Sequence, residues 1–588
     1  MKRLPTIATS ALGLGAFLFW LVAHPEWISY QEQYQLFLFN ADYLAERLSV
    51  AGGVADYAAE FITQFFYVVP LGALLMALIC VALQRLCLLV CRRALPGAEP
   101  RPALSMVPAL LLVAHMGDEE VLPSFAVALV MALGAALLTM RAGRWRTAVE
   151  VGMVPMLYWA AGPVALAYVL LMAVHDALRP DLSLRARTLG GIALAAYAVA
   201  AIAVIAQTAL RQYPWPDAWG GINYHRNRLT YPALQFVIEA AVGLMPALAV
   251  GLHRIRLRHI GAVEMSVAIA GGAALIASSY DRDKYLQLRY DYLIRFERWN
   301  DIVRSAEKYM PATPLASSSV NLALGMTHQL GRRMFEFSQC GSDGLLCRFE
   351  RNMVSCVPTA EACFRLGMVN EAMRLYFDSQ ESILNNRKSG RMTQRIAEAN
   401  IICGRLGVAR KYLADLKETI FYSRWARMAE RCIDAGDLTP WDHIRSLRYT
   451  TPLIDDVDPK KMLAVLWMGN KDNRMAYDYL MAGIMLDCDM QMFANMMPTL
   501  ADTDFDSLPR HYREAVAMFW LQGMLPADSR IAPSDEMKRD IRAFDTHFLM
   551  ASDRRKMLKS RWNKTYWTYC LVTFPALAAS TGATTLKH

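Results

Sequence analysis
From Leu4 to Ser279 the chain alternates apolar runs with short polar gaps. From Tyr280 the apolar positions thin out and recur at helical spacing among charged residues. The apolar runs fall at 5–23, 65–84, 103–115, 121–140, 149–161, 163–178, 188–210, 233–252 and 261–279, which predicts about nine transmembrane spans. The runs at 103–115 and 149–161 are shorter than the roughly 20 residues a crossing needs, and Pro108 and Pro155 interrupt them. They read as tilted spans, re-entrant helices or parts of hairpins. Each is followed at once by another apolar run, so removing a pair leaves the side of the C-terminal half unchanged. The first run follows a basic start and is long enough to span, and it reads as an uncleaved helix.

The gaps are unequal. The first, residues 24–64, is long, acidic and aromatic, with Tyr34, Phe37, Leu38, Tyr43, Leu44 and Leu48 at helical spacing. It predicts an amphipathic helix on the membrane surface, a break at Gly52-Gly53 and a second short helix. The gap at 115–120 is His-Met-Gly-Asp-Glu-Glu, and that at 211–232 is rich in turn formers and aromatic residues. Beyond Tyr280 one internal repeat is direct. AEACFRLGMVNEAMRLY begins at Ala360 and AEANIICGRLGVARKYL at Ala397, so that Ala360, Glu361, Ala362, Gly367 and Ala372 match Ala397, Glu398, Ala399, Gly404 and Ala409. Small residues at these positions let two antiparallel helices pack around a tight turn, the signature of a helical-pair solenoid. The unit resembles a degenerate tetratricopeptide repeat. The expected fold is all-α, with a transmembrane bundle over 1–279 and a helical-repeat domain over 280–588. The apolar tail from Trp567 is read as capping the last repeat.

Charge fixes the sidedness. With the N-terminus cytoplasmic, Lys2, Arg3, Arg85, Arg92, Arg93, Arg101, Arg141, Arg144, Arg146, Arg179, Arg185, Arg187, Arg254, Arg256 and Arg258 fall on one side. Only Arg47, Arg211, Arg226 and Arg228 fall on the other. This positive-inside bias predicts a multi-pass protein of the bacterial inner membrane whose C-terminal half is periplasmic. Much of the net charge of +9 lies in these membrane-edge residues rather than on one soluble face, which argues against nucleic-acid binding. Cys340, Cys347, Cys356, Cys363, Cys403, Cys432, Cys488 and Cys570 lie in the half expected to be oxidising. Disulfides there, including a Cys340–Cys347 loop bridge, stand beside the plainer reading of small buried thiols.

No Walker loop, G-x-S-x-G, H-E-x-x-H or dinucleotide glycine pattern occurs. The candidate chemistry lies in the external loops. Glu32, Asp42 and Glu46 in the first and Asp118, Glu119 and Glu120 in the second would form a carboxylate cluster if the loops converge. Such a cluster would bind a divalent cation or act as a general base. The plainer alternative makes Glu26, Glu32, Asp42 and Glu46 the wet face of an interfacial helix. Arg211, His225, Arg226 and Arg228 concentrate in one loop against the topological bias, and guanidinium groups bind phosphate bidentately. Glu239 and Glu264 are isolated within spans, too few for an ion pathway, and are expected to pair with Arg or hydroxyl groups.

The stretches YQEQYQLFLFNADYLAERL, GGVADYAAEFITQFFY, AEANIICGRLGVARKYL and FYSRWA resemble a group of polytopic proteins of Bacteroidetes-type bacteria, a resemblance that brings no function with it. The architecture is also similar to the membrane glycosyltransferases of the C-type fold. That resemblance implies a polyprenyl-phosphate-linked sugar donor, with Asp42 as base, Asp118 or Glu119 as metal-binding or auxiliary carboxylate, and Arg211, Arg226 and Arg228 as lipid-phosphate ligands. This chain has no D-x-D in either loop. The other expectation is a scaffold whose helical-repeat half recruits a protein partner in envelope assembly or secretion.

Overall fold
In the computed structural model, the residues described are 4–95, 101–180, 183–227, 230–255, 260–347, 354–384, 387–449, 459–500, 505–525, 531–551 and 553–585. They are helical throughout, and extended pairing among them is confined to isolated bridges. The chain packs as two compact units. One holds residues 1–285, 383–394 and 411–429; the other holds 286–382, 395–410 and 430–588. The expected boundary at 279 marks where the apolar runs end, whereas the compact units interleave along the chain.

The first unit opens with α1 (Leu4–Leu18), which continues as a π-turn over Phe19–Ala23, then α2 (Pro25–Gln33), α3 (Ala41–Leu48), α4 (Gly53–Thr63) and α5 (Val69–Ala94). There follow α6 (Pro102–His115), α7 (Pro123–Arg141), α8 (Arg146–Ala161), α9 (Ala165–Ala177) and α10 (Leu184–Thr208). The short α11 (Asp217–Gly220) precedes α12 (Ala233–Gly243), α13 (Met245–Arg254) and α14 (Ile260–Ser279). Among the described residues, five helices are long and apolar enough to cross a membrane: Pro5–Ala23, Val69–Ala94, Pro123–Arg141, Leu184–Thr208 and Gly261–Ser279. The pair α12 and α13, bent by 62° where Pro246 enters the second helix, makes up to six. The other expected spans are too short by this measure, at 14 residues for α6, 16 for α8 and 13 for α9.

Polar contacts mark where two of these short helices begin. α6 starts at Arg101, whose guanidinium pairs with Glu264 and donates to the Ile255 carbonyl at 2.7 Å, and it ends at His115 against Phe125. α8 starts where Arg146 pairs with Asp176 and ends at Gly162. There Gly162 and Gly52 abut with φ of 81° and 87°, and the Gly52 N–H donates to the Trp159 carbonyl at 2.8 Å. A Cβ at either position would face strained backbone, so the glycine break read at Gly52-Gly53 is real. Leu189, Ile192, Val199 and Val204 on α10, with Val263, Val267 and Ile269 on α14, are exposed. An apolar surface of this kind suits a hydrocarbon solvent.

The first loop departs from the expected continuous amphipathic helix. Between α2 and α3, residues 35–39 leave the helix. Their backbone partners come from the two returning stretches: Gly390 N–H donates to the Gln35 carbonyl at 3.2 Å, and Phe39 N–H to the Glu418 carbonyl at 3.1 Å. Asn40 then caps α3 by accepting from the Tyr43 N–H at 2.7 Å. Phe37 sits among Phe39, Tyr43, Tyr57 and Phe61, with ring centroids 5.0–5.7 Å away.

Beneath this cluster lies a buried charge network. Glu60 accepts from Arg47 Nε at 2.9 Å and from the Tyr43 hydroxyl at 2.5 Å, and Arg387 Nη1 lies 3.2 Å from its other oxygen. Arg387 Nη2 donates to Asp56 at 2.6 Å. Asp56 and Glu60 are each 1% exposed and Arg387 is 3% exposed. Burial pushes the Asp56 carboxyl up to about 6 despite the opposing pull of Arg387.

The second unit is built of adjacent helix pairs: Trp299–Lys308 with Pro314–Met326, Cys356–Leu366 with Val369–Glu381, Pro459–Gly469 with Arg474–Leu486, and Arg510–Leu521 with Asp535–Met550. One helix ending recurs. At Glu297, His328, Gly367, Gly404, Gly436, Cys488 and Gly523 the chain turns left-handed, and the next N–H reaches back five residues, as from Met368 to the Cys363 carbonyl at 2.9 Å. This closes the last helical turn and reverses the chain. Gly367 and Gly404 are the turn glycines of the repeat, and its alanines, Ala360, Ala362, Ala372, Ala397, Ala399 and Ala409, are buried. The tail packs within this unit: Trp567 Nε1 donates to the Glu514 carbonyl at 2.7 Å and Tyr566 N–H to the Glu514 carboxylate at 2.8 Å.

Removing one partner from a buried ion pair leaves an uncompensated charge. Arg387→Ala should therefore destabilise the protein by about 3–5 kcal/mol. Lys388→Ala, which removes a half-exposed pair 3.0 Å from Asp415, should cost at most about 1 kcal/mol. Denaturation midpoints of the two full-length variants in detergent check the contrast, and equal effects would contradict the buried network.

Candidate functional site
Three segments of the first unit meet at the loop end. The turn after α6 presents Asp118, Glu119 and Glu120. The segment before α12 presents His225 and Arg226, and α2 presents Tyr30 and Gln31. Backbone pairing sets the register: Val121 and His225 form an antiparallel bridge, Leu122 N–H donates to the Tyr224 carbonyl at 2.9 Å, and Arg226 N–H to the Glu120 carbonyl at 2.8 Å. The Ser124 hydroxyl closes the pairing on the Asn223 carbonyl.

The side chains then interlock. His225 Nε2 lies 3.0 Å from Asp118 Oδ2, and Nδ1 lies 2.7 Å from the Asn227 carbonyl. Lys284 Nζ lies 3.0 Å from Glu119, and the Tyr30 hydroxyl donates to Glu120 at 2.7 Å. Arg226 donates to Gln31 Oε1 at 3.0 Å and lies over the Tyr30 ring, 4.8 Å from its centroid. Gln31 Nε2 donates to the Glu119 and Val121 carbonyls at 2.8 and 3.1 Å. Arg226 is 4% exposed. The arrangement joins α2 to both loops through charge-assisted bonds.

Electrostatics follow from this wiring. Burial opposes a charged His225, but the hydrogen bond and charge of Asp118 outweigh it and raise the imidazole pKa. Burial would raise Asp118, yet the His225 contact and the Glu120 N–H hold its carboxyl below the usual range. Burial, followed by the Glu120 charge, raises the Tyr30 phenol well above its ordinary value.

Of the residues singled out by sequence, Asp118, Glu119, His225 and Arg226 are thus brought together. Asp42 is not among them: it is exposed in the first turn of α3, whose Tyr43 and Arg47 face Glu60 instead. Arg211 is exposed and its Nε donates to the Gln207 carbonyl at 2.5 Å. Arg228 lies outside the described residues. Glu46 is exposed, whereas Glu26 and Glu32 are buried rather than forming a wet face. Glu264 pairs with Arg101, and Glu239 accepts from Gln235 at 3.2 Å. Among the described residues, no group of three His, Cys, Asp or Glu side chains is placed to hold a metal ion. Sequence reasoning passed over Arg387, Ser389 and Arg391, which reach Asp56, the Gln33 carbonyl and Gln33 Oε1. The available signal was the basic run Arg387-Lys388-Ser389-Gly390-Arg391 facing an acidic loop.

The chain belongs to the family of unknown function DUF6057, whose model matches residues 1–573. No curated protein and no solved structure matches it.

The His225–Asp118 pair makes a signed pH prediction. A raised imidazole contributes stability below its unfolded pKa near 6.5 and loses it as pH rises through the higher folded value. A lowered carboxyl contributes above about 3.9 and loses this as pH falls through the lower folded value. The pair is complete between about pH 4 and 6.5. The melting temperature of wild type in detergent should fall relative to His225→Gln as pH rises from about 6.5 toward 8.5; parallel curves would exclude the pair.

Proposed function
We propose that this DUF6057 member is a multi-pass scaffold of the bacterial inner membrane, with a cytoplasmic N-terminus and a periplasmic array of tetratricopeptide-like helix pairs that engages a protein partner. The observation that carries this reading is the internal use of the loop-end charges. Asp118 holds His225, Glu119 holds Lys284, Glu120 holds Tyr30, and Arg226 is buried against Gln31 and Tyr30. Sugar transfer from a polyprenyl phosphate needs a carboxylate that meets the acceptor and cations that meet the leaving phosphate. Here those groups join loops to one another. The recurrent helix endings and buried alanines of the second unit support the repeat array, and the Lys/Arg asymmetry supports the orientation.

A second reading, a glycosyltransferase-like enzyme, is favoured by one feature. The Asp118 side chain is 38% exposed while bonded to His225, a carboxylate–imidazole dyad able to take a proton from an acceptor hydroxyl. On this reading the dyad, rather than Asp42, is the base.

One comparison separates the two: the envelope glycans and glycoproteins of a deletion strain complemented with full-length wild type, Asp42→Asn, Asp118→Asn or His225→Gln. The scaffold reading expects every variant present at wild-type level to restore the wild-type profile. Loss of one glycan class with Asp118→Asn or His225→Gln at normal abundance would overturn it in favour of the enzyme. The full chain is required because cutting after Ser279 would remove Arg387 from Asp56 and Glu60. For the same reason, sidedness is read from alkaline phosphatase fused after His588: an active fusion is expected, and an inactive, fully expressed one would overturn the orientation.

A further inference from the structure
The second unit brings together two cysteines far apart in sequence. Cys488 follows the helix Arg474–Leu486, and Cys570 lies in the π-turn Tyr569–Thr573. Neighbouring bonds bracket the approach: the Tyr569 hydroxyl donates to the Leu486 carbonyl at 2.8 Å, and the Tyr566 hydroxyl reaches Met490 Sδ at 3.7 Å. The two thiols are within hydrogen-bonding reach of each other, and the Tyr566 hydroxyl is beside Cys570. We propose that Cys488 and Cys570 form a disulfide that ties the tail to the end of the helix Arg474–Leu486.

The backbone at Cys488 supplies a second observation. Its φ is 51°, with the Asp489 N–H bonded to the Ile484 carbonyl at 3.0 Å. At the same point of the same turn, the chain uses glycine at 367, 404, 436 and 523, and a side chain also at Glu297 and His328. A Cβ in this conformation is disfavoured. At 488 the side chain kept against that cost is one that touches a second thiol. All of these thiols are free in the structure; of the pair suggested by spacing, Cys340 has its Sγ 3.8 Å from the Ser317 hydroxyl.

The chemistry is thiol–disulfide exchange with a small or protein disulfide as oxidant. The neighbouring Cys488 thiol favours the Cys570 thiolate and lowers its pKa. That thiolate attacks one sulfur of oxidised glutathione, breaking its S–S bond and expelling a glutathione thiolate. Cys488, on losing its proton, attacks the Cys570 sulfur of the mixed disulfide and expels the second glutathione. Two protein thiols are oxidised, one glutathione disulfide is reduced to two thiols, and the protein becomes lighter by two hydrogens.

The test uses the purified full-length protein in detergent, incubated with oxidised glutathione, then alkylated, digested without reduction and analysed by mass spectrometry. The expected product is one cross-linked peptide joining Cys488 and Cys570, absent from Cys488→Ser and Cys570→Ser and lost on adding reductant. Cys488→Gly guards against a folding artefact because it suits the left-handed turn. Under reducing conditions it should melt at or above the wild-type temperature. Under oxidising conditions wild type should gain several degrees and Cys488→Gly none. Alkylation of both thiols after oxidation, or cross-linking of either to another cysteine, would overturn the pairing.

Discussion
Two carboxylates and two guanidinium groups buried in the first unit constrain much of what surrounds them. Asp56 and Glu60 lie on one face of α4, and neither would be tolerated ionised without cations close by. Arg47 reaches Glu60 from α3, but Arg387 comes from a stretch more than 300 residues later in the chain. The desolvation of four charged groups is offset only while all of them are present in that geometry. The network therefore fixes where the returning stretch lies, and through it the non-helical backbone between α2 and α3. With that backbone held, the aromatic residues around Phe37 have one packing.

The same stretch explains a departure from helical periodicity. Tyr34 through Leu38 carry apolar residues at spacing that would continue a helix, and local propensity alone would make one. The chain leaves the helix there, and Gly390 and Glu418 supply hydrogen bonds that a helix would otherwise have closed internally. Asn40 restarts the helix with a local cap. Bonding over such separations has no local signature; only the coincidence of an acidic loop and a distant basic run hints at it.

Legibility varied in the same way elsewhere. The long apolar helices, the Gly52-Gly53 break and the Gly367 and Gly404 turns follow from period, length and left-handed glycine, all local properties. The short helices α6, α8 and α9 were visible as apolar runs, but their lengths fall below the criterion for crossing alone. At the loop end, sequence gathered the right loops, because an excess of arginine against the positive-inside bias needs a reason. Which individual side chains meet there was not legible. Asp42 has the local look of a free carboxylate and is free, yet it stands apart; Arg226 has the look of a phosphate ligand and is taken up by Gln31 and Tyr30. Pairing depends on which loops meet, and that is a tertiary property.

The interleaving also orders assembly. The α4 carboxylates are synthesised long before Arg387, so the nascent first half carries Asp56 and Glu60 without that partner until residues beyond 387 are made. While incomplete, these groups are stable only in water or protonated, because burying them charged and unpaired is prohibitive. Burial of the first loop and docking of residues 383–394 are thus one cooperative event rather than two. Folding of this unit must therefore wait for the C-terminal half of the chain, although its apolar helices can form earlier. The helices of the first unit and the returning stretches stand or fall together, and a fragment ending at the last apolar helix lacks Arg387, the cation bonded to Asp56.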